Sequence, residues 1–413
     1  AVTTLNLNGG AVTIHDGDGI DIASITATSL DLLTAGGITD SGIVAITNLA
    51  KFNSTGNAIV LGDATTATFG SLDFAGSTVT ITEGNAMVIE ASEATGALTL
   101  VAGGSITQTG VIDSISTSRF DAGANVITLT QANDFAGAVS LSNTGTNLVQ
   151  VTDANALDLG TVNVGGDLLV NTTGTITDTG NLTVVGLATL VSGGNAITLG
   201  DGTTANFGSI DFAGSTVAIT EASDMSIAES EATEALSLTA SGAISQTGRI
   251  DADNTSLFDN TGGTDAAITL DNANNDFTGA VSVTASDTGS DVSLKDVNAI
   301  DLGAVSVGDA LTVSSTGAIT DSANITVGGL ATVGSGGNAI TLGDGTTANF
   351  GSIDFAGSTV AITEASAMSL AASEATGALS LTASGAITQT GAIDADGTSS
   401  IAAGANAITL DAA

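Results

Sequence analysis

Residues 192–223, SGGNAITLGDGTTANFGSIDFAGSTVAITEAS, recur without a change at 335–366, and a looser copy starts at Asn57. Internal repetition on this scale restricts the chain to architectures built by stacking one unit on the next. The step is long, about 138 residues from Asn57 to Asn195 and slightly more from Asn195 to Asn338. Phe69, Phe207 and Phe350 keep it, as do Phe74, Phe212 and Phe355, and Glu83, Glu221 and Glu364. ITDSG at Ile38 returns as ITDTG at Ile176 and ITDSA at Ile319. Three long repeats follow, at 57–194, 195–337 and 338–413, the last completed in phase by 1–56. The terminal AITLDAA runs in phase into AVTTLNLNGG at Ala1, so the chain reads as one continuous, circularly shifted array over 1–413.

Within each long repeat the period is 2. Ile197-Thr198-Leu199, Ile210-Asp211-Phe212, Val217-Ala218-Ile219 and Leu236-Ser237-Leu238 alternate apolar with small or polar residues, which sends one side of a strand to a core and the other to water. The strands are short and are separated by GDGTTAN, GGN and DNANND, whose Gly, Asn and Asp tolerate positive φ or bond their own backbone. Met225 to Ala235 is the one stretch rich in helix formers, but its counterpart at Met368 runs straight into strand alternation, so it reads as loop or strand. Coils begin near Asn195, Ser215, Ala235, Ala266, Val292 and Ala310. At about 18–31 residues each, they have the length of one β-helix turn. The expected fold is all-β, a right-handed parallel β-helix of about eighteen coils, roughly 85 Å long at the ~4.8 Å strand spacing.

Composition agrees. Only 11% of residues are charged and 3% aromatic, and Pro, Cys, Trp and Tyr are absent while Gly numbers 54. Such a chain cannot fill a bulky core, but it can repeat a thin one with rows of Val, Ile and Leu. Absence of Cys leaves the redox compartment open. No run of 18 apolar residues occurs, so no membrane-spanning helix is expected.

Against 43 acidic residues stand four basic ones, Lys51, Arg119, Arg249 and Lys295, for a formal charge of -39. Nucleic acid is excluded as a partner because its binding rests on Lys and Arg, and anionic membrane is disfavoured for the same reason. The charge favours solubility and draws in cations.

His15 is the only histidine, so neither a His-based zinc site nor a triad can be assembled around paired imidazoles; beside Asp16 it reads as a turn residue. DGDGID offers Asp16, Asp18 and Asp21 as calcium candidates, although the bidentate Glu of an EF-hand is missing. No cofactor is expected to be required, calcium being the one ion these residues suggest. Asp73, Asp211 and Asp354 recur at the long step, about six coils or nearly 30 Å apart, too far for a glycosidase pair. No catalytic residue is assigned. The recurrent Phe residues, with Phe135 and Phe277, fall on core positions. Asn57, Asn155, Asn195, Asn298, Asn338 and Asn406 each precede Ala, and corner asparagines of this kind are expected to ladder their amides along the axis.

NAITL, NDFTGAVSV, DVNAIDLGAVSV, ALTVSSTGAITDSANITVGGLATV and ALSLTASGAITQTGAIDA resemble the repeat shafts of filamentous-haemagglutinin-like large exoproteins. The resemblance covers nearly the whole chain. It implies a bacterial surface adhesin built as a right-handed parallel β-helix and exported through a partner barrel. Without Pro, the Asn-Pro motifs of that family's secretion domain cannot be present here.

The expected function is therefore a non-catalytic structural protein, secreted or at the bacterial surface, forming an extracellular fibre or adhesin shaft. Copies of itself, head to tail, are the expected partners, with a host or neighbouring cell surface beyond them. A calcium-dependent adhesion module is the second expectation. A polysaccharide-processing β-helix enzyme is the third, and four scattered basic residues count against it.

Overall fold

The computed structural model describes residues 4–63, 65–260, 262 and 265–411. The junction between Ala413 and Ala1 lies outside the described residues. The chain divides into two compact units, 1–208 and 209–413. Each is an all-β solenoid of parallel strands, and no helix occurs among the described residues. Met225 to Ala235 holds two short strands, Met225–Ile227 and Ser230–Ala232.

In the first unit one sheet face can be followed by its register. Ile20 pairs with Ile38, then Ile59, Val79, Leu98, Ser118, Val139 and Leu159. Leu157, on that same last strand, hands the register to Ile176 and Ile197. Seven steps separate Ile59 from Ile197. In the second unit Val217 reaches Val360 in the same number, through Leu236, Ser256, Val281, Leu302 with Ile300, Ile319 and Ile340. One long repeat is thus seven coils, or about 34 Å at ~4.8 Å per coil, where the sequence suggested six, and the two units hold about twenty coils, roughly the number expected. Along these registers the coil from Ile20 to Ile38 is the shortest and that from Ser256 to Val281 the longest. Ser256 is the reason for the miscount. It points inward at the start of its strand, where Val217 and Leu236 stand in the coils before it, so the start of that coil carries no apolar marker.

Strand parity decides what is buried. In Val79–Glu83 and Leu98–Ala102 the first, third and fifth residues face the core. The core is a stack of Ile, Val and Leu rows interrupted by phenylalanines. Phe74, Phe135 and Phe277 are core residues, as their alternation implied. Phe52 meets Phe69 edge-on at 5.6 Å, Phe120 meets Phe135 at 5.8 Å and Phe258 meets Phe277 at 5.8 Å. Each edge-to-face pair of this kind adds about 0.5–1.5 kcal/mol beyond the burial of its two rings.

The asparagine corners differ from the expected ladder. Asn57, Asn125, Asn195, Asn338 and Asn406 each donate from Nδ2 to the carbonyl three residues back and to a carbonyl of the preceding coil, for example Asn195 to Ser192 O (2.8 Å) and Thr173 O (2.9 Å). Such corners recur only after several intervening coils, so amides never stack on amides. Each one staples a turn to the backbone beneath it. Asn155 and Asn298 do otherwise: their N–H groups donate to Asp153 and Asp296.

Candidate functional site

The sequence candidates for calcium do not converge. Asp16 ends the strand Thr4–Asp16, Asp18 sits in the bend after it, and Asp21 lies on Ile20–Thr34. Asp16 Oδ1 accepts the Asp18 N–H at 3.0 Å, and Asp21 Oδ2 accepts the Ser41 hydroxyl at 2.7 Å on the next coil. Among the described residues no group of three or more His, Asp or Glu is placed to hold a metal ion. His15 is exposed in a strand, not a turn, opposite Leu33. Asp73 is ion-paired with Lys51 at 2.8 Å.

The feature that recurs with chemistry in it is a corner. After Ile197–Leu199 the chain turns through Gly200 and Gly202, at φ 74° and 78°, conformations that suit glycine. Asp178, one coil earlier, anchors that turn. Its Oδ1 accepts the Gly200 N–H at 2.9 Å and its Oδ2 accepts the Thr203 hydroxyl. Asp321 does the same for Gly343 and Thr346. This explains why ITD recurs at the long step. The first copy is different. Asp40 Oδ1 accepts the Gly62 N–H at 2.6 Å, but Thr65 donates to Gly42 O and Asp40 Oδ2 has no partner. Position 64 is Ala where the other copies have Gly202 and Gly345. With 5% exposure, burial raises the Asp40 carboxyl above its ordinary range, and Asp63 and Asp21 push the same way against the Gly62 N–H.

On the far side of the corner stands an inward glutamate. Glu83 Oε1 accepts the Phe69 N–H at 2.8 Å, and Glu364 Oε1 accepts that of Phe350 at 3.2 Å. Burial pushes the Glu83 carboxyl up to about 7, and it raises Glu364 as well. Asp153 and Asp296 are also buried, and each accepts two backbone N–H groups: Phe135 and Asn155 for one, Phe277 and Asn298 for the other. Burial still wins over those bonds and raises both carboxyls.

Two further arrangements were not anticipated. Gln108 and Asn133 exchange amide hydrogen bonds of 2.8 and 3.0 Å inside the first unit, and Gln246 and Asn275 repeat the pair at 2.8 and 2.8 Å in the second. On the outside, Glu93, Asp113 and Asp134 stand in register on three successive coils, as do Glu231, Asp251 and Asp276. Arg249 neutralises the second column through a 2.7 Å pair with Asp251. The equivalent position in the first is Val111, while Arg119 pairs with Asp121 instead.

No curated protein and no solved structure matches this chain. Six tandem stretches, 9–74, 76–142, 145–210, 214–284, 289–353 and 357–413, match a family described as repeats of unknown function (DUF5649). Each long repeat therefore contains two family units. Their geometry is uneven: Ile59 lies on the face followed above, whereas Ile127, its counterpart one family unit later, continues the row of Met87 and Ile106 on the next face. One unit spans three whole coils and a step to the neighbouring face, and two restore the starting face at Ile197. With nearly its whole length covered by these six matches, the chain belongs to the DUF5649 repeat family.

Proposed function

We propose that this chain is a structural shaft, a segment of an extracellular fibre or adhesin stalk at a bacterial surface. The observation that carries the reading is the use made of the sequence. Coil after coil donates its backbone N–H groups to the next, and the inward side chains serve packing, corner bonds and register. Its formal net charge of -39 opposes unspecific collapse of one shaft onto another. The outermost described coil leaves Ser399–Ala402 and Ile408–Thr409 paired on one side, with Ile408 and Leu410 exposed. A further coil, of a longer chain or of another copy, can pair there by the geometry used throughout. Resemblance to filamentous-haemagglutinin-like shafts supports the same reading.

Electron microscopy of the purified chain tests it. Fibres far longer than one chain support head-to-tail assembly, discrete short rods support a stalk segment, and globular particles or a measurable turnover of polysaccharide would refute both. A second reading, calcium-dependent surface adhesion, draws on the in-register carboxylate columns. It requires that a chelator abolish fibre or cell binding, and indifference to the chelator removes it.

A further inference from the structure

We propose that Glu83 is a proton-operated latch on the corner that follows Leu61, closed while the carboxyl keeps its proton and loosened when it ionises. Glu83 faces the core by parity with Val79 and Ile81 and is 1% exposed. Oε1 has the Phe69 N–H, and Oε2 has no partner. Ionised, this group would be a charge in an apolar column with one hydrogen bond and no cation. That state is costly enough for the surrounding chain to move instead.

The backbone free to move is that of Gly62 and Ala67. It is held over Glu83 by the Ala67 N–H to Thr82 O at 3.3 Å, the Gly84 N–H to Ala67 O at 2.9 Å and the Gly62 N–H to Asp40. The titratable groups on the elements packed against Glu83 are few. Ile59–Leu61 and Leu98–Ala102 carry none, Thr68–Gly76 carries Asp73, already paired with Lys51, and the corner carries the exposed Asp63. None of them offers positive charge to Glu83. Opening the corner is the way to bring water to Oε2, and burial has moved the carboxyl up to about 7, into the range where pH changes work it.

The chain supplies its own contrast. Glu364 occupies the same place in the last long repeat, but Ser366 donates a 2.9 Å hydrogen bond to its Oε1, where the first copy has Asn85. That hydroxyl favours the ionised form. The Glu364 latch is therefore the less responsive of the two. This inference goes beyond the shaft reading and does not depend on it.

Hydrogen exchange by mass spectrometry on the full chain, read at peptides spanning 59–74 and normalised to intrinsic rates, tests the latch. With a carboxyl that shifts from about 7 when closed to its ordinary 4.5 when open, protection falls about tenfold between pH 6 and 8.5. In Glu83→Gln the same peptides should lose most of that pH dependence, what remains being the titration of Asp40 on the Gly62 N–H, and in Asn85→Ser the loss should be smaller than in wild type. A flat wild-type profile, or a tenfold loss that persists in Glu83→Gln, overturns the proposal. Should Glu83→Gln lack the wild-type circular dichroism spectrum, Asn85→Ser decides, an undiminished loss overturning it.

Discussion

Neutralising the middle carboxylate of an exposed column should have opposite effects in the two units. Asp113 stands between Glu93 and Asp134 on adjacent parallel strands, and like charges directly opposite one another destabilise a sheet. At about 5 Å in water each neighbour contributes roughly 0.8 kcal/mol of repulsion. Screening at 0.1 M salt reduces the pair of terms to about 1 kcal/mol. Asp113→Asn should therefore raise protection of Ser92–Ala94 and Ile112–Ser114 about fivefold at low salt, with the gain vanishing near 1 M. Asp251 has the same two neighbours, but it also holds Arg249 at 2.7 Å. Asp251→Asn removes repulsion and attraction together, so its protection should stay level or fall. Local exchange is the right assay because a solenoid opens in segments. If Asp113→Asn loosens its strands, or if both substitutions gain equally at every salt concentration, the column is not a source of repulsion and the reasoning fails.

Other expectations concern the interior. Asp40, Glu83, Asp153, Asp296, Asp354 and Glu364 all have carboxyls raised in the fold, so the folded state binds protons more tightly than the unfolded one. The stabilisation is fully present below the unfolded values and is lost as pH rises through the folded ones; for Glu83 that window is 4.5 to about 7, worth about 3 kcal/mol. Thermal unfolding should accordingly come at a higher temperature at pH 5 than at pH 8, and the reverse order would refute it. Ser118 is buried in an apolar row with a hydroxyl that has no partner. Ser118→Ala should gain about 1 kcal/mol, seen as roughly fivefold slower exchange of the Phe120 amide. Asn133→Ala should cost about 2–4 kcal/mol, because Gln108, the Ile112 N–H and Thr152 O lose their buried partner together. Asn133→Leu with Gln108→Leu should recover some of that loss in a denaturant titration.

The parallel solenoid was legible because alternation such as Val217-Ala218-Ile219 maps directly onto buried and outward positions. Coil boundaries were less so. Beyond Leu236 the next start on the same face is the inward Ser256, which carries no apolar mark, whereas Ile268 continues the row of Ile244 on the neighbouring face. The inward placement of Glu83 could have been inferred from its parity with Val79 and Ile81. Polar residues near corners usually face water, so the alternation alone did not single it out. Gln108 and Asn133 are 25 residues apart and meet only once the coil length is known. The recurrence of ITD was visible, but its reason was not, since the glycine N–H that Asp178 holds is 22 residues further on. Asp16, Asp18 and Asp21 were grouped by adjacency, whereas a strand and a bend send them to separate tasks.

The fractional coil count of the family unit acts like a gear with an odd tooth. Within the first unit, Ile59 and Ile127 fill equivalent places in successive family units yet sit on different faces, and the face is recovered only at Ile197. Gain or loss of a single family unit would turn every later corner, carboxylate column and exposed row to another side, whereas gain or loss of two leaves the outward pattern in phase. Copying in pairs is thus the step that lengthens the array without scrambling what it displays. The perfect recurrence of residues 192–223 at 335–366, two family units on, fits that step.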